Sequence, residues 1–395
     1  MTSNGEVTAD VVYAGFGVTA PELGYDDYKD IDVKGKIVLV EGETPNISRN
    51  PDSLAMWYKH TLHQTKLNNA AAHGAAGLLY KWVPGPNAPY NPGFVYCHVT
   101  DTVVNDIFRG TGKTYKETIR QIYKTQKPAS FHTGKRAHIK MNALLEKGLK
   151  SGKKSANELV TFYAYELLGR PYVAHTLEGE TEMLTINIDE LDCTTFVETL
   201  YALARTTMSE RYSWRDFANN LENVRYREGR IDGYASRLHY ISEWAVDNTS
   251  RGNIEEITKD VPGARELIKT INFMSTHRDS YPALKDDETF NTIKKYEDGY
   301  RNHKTYYLKK EQLNGKGICN AVQEGDFVGL VCKTPGLDIS HMGMVVKNEK
   351  GELVVIDASM TGGKVMKEPK PIVEYLRPKK GVIGVRFFRI KKRDY

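Results

Sequence analysis

Residues 191–198 read Leu-Asp-Cys-Thr-Thr-Phe-Val-Glu and place a cysteine where a polar loop becomes an amphipathic helix. In the following turns apolar side chains recur at helical spacing, as at Phe196, Leu200 and Leu203, which predicts a helix over residues 194–205. The N–H groups of a helix's first turn and its macrodipole favour the thiolate, which is the nucleophilic form of cysteine. Cys193 is therefore a candidate nucleophile.

The last seventy residues can supply a general base. Short apolar segments separated by Gly-containing turns predict an antiparallel sheet, with strands at residues 326–332, 342–347, 353–357 and 382–390. His341 stands at the head of one of these strands and Asp357 ends the next, so a hairpin would set them side by side. Together with Cys193 they form the pattern of a Cys–His–acceptor triad. Asp338, three residues before His341, is an alternative acceptor.

Each of these residues alone also has a structural interpretation. A lone cysteine is more often a small buried residue, and a histidine that opens a strand is more often a core or turn residue. We prefer that interpretation for Cys97, Cys319 and Cys332. Four scattered cysteines without a CxxC pair predict neither a disulfide framework nor a zinc knuckle, and the eleven histidines contain no HExxH. We expect no metal and no cofactor.

The length of 395 residues favours two or three domains. The first third alternates β-runs and Gly-rich turns with an Ala-rich helix at residues 66–76, and four prolines within residues 81–92 predict a loop. A polar, basic stretch then precedes Ser155, a plausible helix cap, and helical spacing resumes at residues 157–168. We expect a first domain at residues 8–142, a linker at 143–154 and a second domain at 155–395. Helices followed by a sheet make the second domain α+β.

Composition excludes other classes of protein. Fifty-five Lys and Arg against 50 Asp and Glu leave a net charge of +5 without a basic run, so nucleic acid is not an expected partner. No stretch approaches the roughly 18 apolar residues of a spanning helix.

Three motifs carry a resemblance to a known family. The segments LGRPYV at 168–173, LDCTTFVE at 191–198 and SHMGMV at 340–345 resemble those of the NlpC-type papain-like cysteine peptidases and amidases of bacterial cell walls. Residues 225–229 and 234–240 resemble more narrowly the N-acetylmuramoyl-L-alanine amidase-like branch found in Bacteroidetes. The resemblance covers residues 155–395 and implies a papain-like domain with helices packed on an antiparallel sheet.

The resemblance also implies roles for individual residues. Cys193 is the nucleophile, His341 the base, Asp357 the third member, and Tyr172 a contributor to the oxyanion hole. The substrate is a peptidoglycan fragment, a muropeptide, whose stem peptide offers carboxylates and a free amine. Candidates for binding it are Asp192, Arg237 and His239, which equally fit as a helix-cap aspartate and a helical surface pair.

The first third resembles a protease-associated (PA) domain of the kind found in secreted zinc aminopeptidases. The resemblance lies in residues 10–16, 20–28, 32–40 and 66–79. The spaced metal ligands of the aminopeptidase core are absent from the sequence, so the resemblance implies a non-catalytic module.

We therefore expect a cell-wall amide hydrolase that forms a thioester on Cys193. Two alternatives stay open: a γ-D-glutamyl-diamino acid endopeptidase using the same residues, and a non-catalytic protein that binds peptide or glycan. The expected location is the periplasm, the cell envelope or the outside of the cell, with an export signal removed.

Overall fold

The computed structural model describes residues 5–82, 94–141, 143–179, 181–209 and 214–391. The chain divides into two compact units, one of residues 1–146 with 212–214 and one of residues 147–211 with 215–395. Both units mix helices and strands, so the fold is α+β as expected. Most of the proline-rich loop predicted at 81–92 lies outside the described residues.

The first unit alternates strands and helices along the chain. Its strands are β1 (Gly5–Tyr13), β2 (Thr19–Ala20), β3 (Tyr25–Asp26), β4 (Ile37–Glu41), β5 (Gly77–Lys81), β6 (Val95–His98) and β7 (Phe131–Met141). Its helices are α1 (Pro51–Thr61), α2 (His63–Ala72), α3 (Asp101–Phe108) and α4 (Tyr115–Thr125). Helix α5 (Ala143–Lys150) leads into the second unit and occupies part of the segment predicted as a linker.

Five of the described strands form a sheet in the order β6-β5-β4-β1-β7. The pairs within β6-β5-β4-β1 are parallel, and β7 runs antiparallel to β1. In β4, Ile37 and Leu39 pack into one apolar cluster, while Val38 and Val40 pack into the cluster on the opposite face. Burial on both faces explains why this strand reads as an uninterrupted apolar run.

In the described part of the second unit, four of the eight helices precede the first strand of its sheet and the other four lie between later strands. Its helices are α6 (Ala156–Glu166), α7 (Cys193–Met208), α8 (Trp214–Arg225), α9 (Ile241–Ser250), α10 (Phe273–Thr276), α11 (Asp287–Asp298), α12 (Lys316–Ala321) and α13 (Ile372–Leu376). Its strands are β8 (Ile254–Glu256), β9 (Arg265–Lys269), β10 (His303–Lys309), β11 (Phe327–Cys332), β12 (Ile339–Lys347), β13 (Leu353–Ser359), β14 (Lys364–Lys367) and β15 (Val382–Ile390).

In the described part of this unit these eight strands form one antiparallel sheet. Seven follow the order β14-β13-β12-β11-β15-β10-β9, and β8 pairs with β15. Helix α7 packs against β12 and β13 and is buried from Thr195 to Thr207. The sheet and this helix together position the candidate site.

A buried ion pair anchors the middle of α7. Arg225 Nε of α8 lies 2.6 Å from Glu198 Oε2, and both side chains are almost fully inaccessible to solvent. Arg225 Nη1 also donates to the carbonyl oxygen of Thr185 at 2.7 Å. Removing one partner of a buried pair leaves the other charge uncompensated, so this contact makes the position of α7 depend on α8.

Candidate active site

Helix α7 begins at Cys193, as the sequence predicts. Asp192 caps the helix: its Oδ1 accepts a hydrogen bond from the backbone N–H of Thr195 at 2.8 Å, and its own N–H donates to Thr195 Oγ1 at 2.9 Å. This reciprocal cap fixes the first turn and therefore the direction in which the half-buried Cys193 side chain leaves the helix. The structure thus gives Asp192 the helix-cap role that the sequence left open beside substrate binding.

His341 and Asp357 meet across the β12–β13 hairpin. The two strands pair from Met344 with Ile356 to Lys347 with Leu353, and the open end of the hairpin carries both side chains. His341 Nε2 lies 2.7 Å from Asp357 Oδ2. The imidazole keeps 21% of its surface exposed, whereas the carboxylate is completely buried. A buried carboxylate with this partner holds the ring in one orientation and one tautomer.

The charge of the His341 ring is set by its neighbours. Burial disfavours the imidazolium, but the hydrogen bond to Asp357, the interaction with Cys193 and the negative charge of both groups outweigh burial and raise the pKa of His341 to about 10. Because Nε2 faces Asp357, Nδ1 is the ring nitrogen left for the Cys193 sulfur. The structure therefore brings the three predicted residues together in the order sulfur, imidazole, carboxylate.

Tyr375 is a member of this site that sequence reasoning missed. Its hydroxyl, on α13, donates to Asp357 Oδ2 at 3.0 Å, so the same oxygen accepts from both Tyr375 and His341. Asp357 Oδ1 has no hydrogen-bond partner within the described ranges. Burial and the charge of Asp357 raise the pKa of Tyr375 well above its usual value, which keeps the hydroxyl protonated as a donor. No motif in the sequence marks this tyrosine.

The alternative acceptor, Asp338, serves another purpose. Its Oδ2 accepts a hydrogen bond from the backbone N–H of Ser242 at 2.5 Å, in the first turn of α9. An acidic group at that position stabilises the positive end of the helix. The geometry therefore favours Asp357 as the partner of His341.

Tyr172 lies on the loop that precedes α7. It forms an isolated parallel bridge with Leu191, and its N–H donates to the carbonyl oxygen of Gly363 at 2.9 Å. Burial raises the pKa of Tyr172, and so do the charges of Cys193 and Asp192. The hydroxyl is thus within electrostatic reach of the sulfur, and its part in an oxyanion hole stays a prediction.

Arg237 and His239 lie outside the helices and belong to a separate polar cluster, so the alternative of a helical surface pair is wrong. Arg237 is buried, lies 3.1 Å from Glu178 and 3.2 Å from Glu182, and stacks on the ring of Tyr234. His239 Nε2 bonds to the carbonyl oxygen of Tyr234 at 2.9 Å, and burial together with the charge of Arg237 lowers the pKa of His239 to about 3. The neutral histidine and the guanidinium, which is paired with two carboxylates, both have partners within the protein, and their binding of substrate stays a prediction.

The other cysteines lie in different surroundings. Burial raises the pKa of Cys97 to about 11, and the Cys332 and Cys319 thiols point to the backbone carbonyls of Leu337 and Leu313. In the part of the chain that the structure describes, no group of three or more His, Cys, Asp or Glu is arranged to hold a metal ion. Nor does any of the described helices have the length and apolarity to cross a membrane.

Comparison with known families identifies both units. The model of the N-acetylmuramoyl-L-alanine amidase-like family matches residues 163–383, which is more than half of the chain. The chain belongs to the N-acetylmuramoyl-L-alanine amidase-like family. The PA domain model matches residues 7–101, so a PA domain precedes the amidase-like domain, in the expected order.

Solved structures resemble the amidase-like domain. An N-acetylmuramoyl-L-alanine amidase from Bacteroides uniformis is 35% identical, with a TM-score of 0.56, and the match covers 60% of this chain and 99% of that one. A second structure of such an amidase from the same organism is 34% identical, with a TM-score of 0.55, and the match covers 60% of this chain and 100% of that one. A protein from Bacteroides fragilis, provisionally named a xylanase, is 37% identical, with a TM-score of 0.54, covering 57% and 99%. No curated protein matches the chain significantly.

Proposed function

We propose that this amidase-like protein hydrolyses the amide bond between N-acetylmuramic acid and L-alanine in peptidoglycan fragments, with Cys193 as the nucleophile. The observation that carries the proposal is the 2.7 Å contact between His341 and the buried Asp357, with the Cys193 side chain acting on the same ring. A helix-borne cysteine facing a histidine on an antiparallel sheet also supports an NlpC-type, papain-like assignment for the second unit.

In the first half of the reaction His341 Nδ1 takes the thiol proton, and the sulfur attacks the amide carbon. The carbonyl oxygen becomes an oxyanion, for which the Tyr172 hydroxyl is the proposed donor. The intermediate collapses, the C–N bond breaks, the imidazolium gives its proton to the leaving amine, and a thioester remains on Cys193. In the second half His341 deprotonates a water molecule, whose oxygen attacks the thioester carbon. The C–S bond then breaks, the carboxylic acid of the N-acetylmuramic acid part is released, and the proton returns to the sulfur.

The electrostatics of His341 fit both roles of the ring. The negative charge of the Cys193 sulfur is one of the causes that hold the pKa of His341 at about 10, so the ring readily keeps the proton that it takes from the thiol. Once the sulfur is bonded to carbon that charge is gone, and the pKa of the ring falls. The ring therefore becomes a better proton donor at the step that needs one.

Glycoside cleavage is a second candidate function, because one similar structure carries the name of a xylanase. Most glycosidases use two carboxyl groups that flank the sugar bond in an open cleft. Asp357 is completely buried and bound to His341 and Tyr375, so it is not available to a sugar. This geometry favours amide cleavage.

The endopeptidase alternative uses the same residues on a bond within the stem peptide. Mass spectrometry of digested muropeptides separates the two activities, since an amidase releases the intact stem peptide and an endopeptidase leaves L-Ala-D-Glu attached to the sugar. A non-catalytic binding protein would release neither product. Because peptidoglycan lies outside the cytoplasm, the proposal includes an extracytoplasmic location.

The test compares Cys193→Ala with Cys319→Ala on a purified muropeptide. The two cysteines have a similar intermediate exposure, which makes the second variant a matched control. Loss of the nucleophile should lower kcat by several orders of magnitude, while Cys319→Ala should turn over like the wild type. Full activity of Cys193→Ala on the muropeptide would overturn the mechanism.

A further inference from the structure

A cavity of about 360 Å³ opens beside His341, in the second unit. Its volume is in the range of small-ligand sites. Its walls come from the ends of β11 and β13, the start of β12, and the segment that joins α13 to β15. The lining residues that matter here are Ser340, His341, Ser359, Thr361, Tyr375 and Lys379.

The cavity borders the imidazole but not the nucleophile, since Cys193 is not among its lining residues. In acyl transfer the acyl part of the substrate stays on the sulfur, and the leaving amine takes its proton from the imidazole. The leaving group must therefore pass on the imidazole side of the site. A cavity that His341 lines and Cys193 does not is placed for the leaving group.

Lys379 lines the cavity and carries a full positive charge there, in addition to the ring of His341. The Lys379 ammonium lies 4.5 Å from the centre of the Tyr375 ring, another lining residue, and the side chain is half-buried. Lys310 Nζ donates to the carbonyl oxygen of Lys379 at 2.8 Å and to that of Leu376 at 3.2 Å, which fixes the backbone of this segment. Lys379 is thus held at the cavity by its backbone and by its ring contact.

Within the described ranges no carboxylate lies at ion-pair distance from Lys379 Nζ. The charge of Lys379 does act on the carboxyl group of Glu368. Burial and the charge of Asp357 raise the pKa of Glu368, whereas the charges of Lys379 and His341 lower it. Glu368 does not line the cavity. A half-buried ammonium without a paired carboxylate, facing a cavity of this size, is suited to an anionic ligand.

We propose that this cavity is the leaving-group subsite and that Lys379 binds a carboxylate of the departing stem peptide. The inference rests on the proposed amidase function, in which the leaving group begins with L-alanine and continues with D-glutamate. The α-carboxylate of that D-glutamate is the nearest negative charge to the cleaved bond, one residue away. Lys379 is then a specificity residue, while Cys193 and His341 carry out the reaction.

The experiment compares two muropeptides that differ only in this group, one with D-glutamate and one with its α-amide, D-isoglutamine. For the wild type we expect a lower KM with the carboxylate. Lys379→Met should raise the KM for the carboxylate substrate about 10- to 100-fold, the usual range for one charge-assisted hydrogen bond, and leave kcat within a few-fold. It should also remove the preference between the two substrates, whereas Lys379→Arg should keep it.

Lys380→Met is the matched control, because this neighbouring lysine is exposed and does not line the cavity. Equal KM ratios for the two substrates in the wild type and in Lys379→Met would overturn the subsite. If the wild type cleaves neither muropeptide, the proposed function fails instead. In that event calorimetry with the free stem peptide tests the subsite alone: an affinity about tenfold weaker in Lys379→Met supports it, and an unchanged affinity overturns it.

Discussion

The substitution Asp357→Asn separates the charge of the carboxylate from its role as an acceptor. Both hydrogen bonds to Asp357 end on Oδ2, and Oδ1 has no partner among the described residues. An asparagine can therefore put its carbonyl oxygen where Oδ2 lies and its NH₂ group where Oδ1 lies. The His341 ring keeps its acceptor, but the negative charge beside it is removed.

The magnitude of the effect follows from the pKa of His341, which lies at about 10 against an ordinary value of 6.5. The difference corresponds to about 5 kcal/mol of preferential stabilisation of the imidazolium, at 1.36 kcal/mol per pH unit. Burial acts against this stabilisation, so Asp357 and Cys193 together must supply more than the net amount. We expect Asp357→Asn to lower the pKa of the ring by about 2 pH units or more, as expected for the loss of one adjacent charge.

An NMR titration of the His341 ring in the full chain measures this pKa directly, and kcat/KM on a muropeptide measures its consequence. At pH 7 we expect Asp357→Asn to lose about 10²- to 10⁴-fold in kcat/KM, as when a triad acid is replaced by its amide. Asp357→Ala, which loses the acceptor as well, should fall further. A pKa in Asp357→Asn within half a pH unit of the wild-type value would refute the electrostatic reasoning.

The same pKa makes stability depend on pH. A folded-state pKa above the unfolded value gives stability that is fully present below pH 6.5 and is lost as the pH rises towards about 10. The wild-type Tm should therefore fall over this window. The Tm of Asp357→Asn should fall less, since its folded-state pKa is closer to 6.5.

Three further substitutions probe the surroundings of the site. Tyr375→Phe removes one of two donors to Asp357 Oδ2 and should lower kcat about 3- to 30-fold without a change of fold; an unchanged kcat would argue against its positioning role. Glu198→Gln leaves Arg225 buried without its counter-charge and should cost about 3–5 kcal/mol in urea unfolding; a loss below 1 kcal/mol would contradict the pair's burial. Gly343→Ala would place a Cβ 2.8 Å from the Ile356 carbonyl oxygen and 3.0 Å from Asp357 Cβ. It should therefore push β12 away from β13, lower the free energy of unfolding by about 1–3 kcal/mol and lower kcat. Wild-type kcat and stability would show that the hairpin tolerates the methyl group.

Local pattern was sufficient for the elements that carry the triad. The helix predicted over 194–205 is α7, Cys193–Met208, and the strands predicted over 342–347 and 353–357 lie within β12, Ile339–Lys347, and β13, Leu353–Ser359. These segments have a strong period or a continuous apolar run because the core buries them. The hairpin also followed from the sequence, since a Gly-containing turn separates its two strands.

Contacts between distant parts of the chain could not be predicted from local sequence pattern. Strands β9 (Arg265–Lys269) and β10 (His303–Lys309) extend the sheet but are rich in charged residues, as expected near a sheet edge, and have no apolar run to mark them. Tyr375 reaches Asp357 because α13 folds back over the sheet, and no spacing rule predicts that contact. The sequence could not decide between a helix cap and a substrate-binding role for Asp192, because the difference lies in the hydrogen bond from the Thr195 N–H to its carboxylate.

In the proposed mechanism His341 activates the sulfur of Cys193. The most direct test is the rate of iodoacetamide alkylation at pH 6, followed for each cysteine by peptide mass spectrometry, with the similarly exposed Cys319 as the internal control. We expect Cys193 to react at least about tenfold faster than Cys319, as an activated thiol does, and His341→Ala to abolish the difference. Equal rates at the two cysteines in the wild type would contradict it.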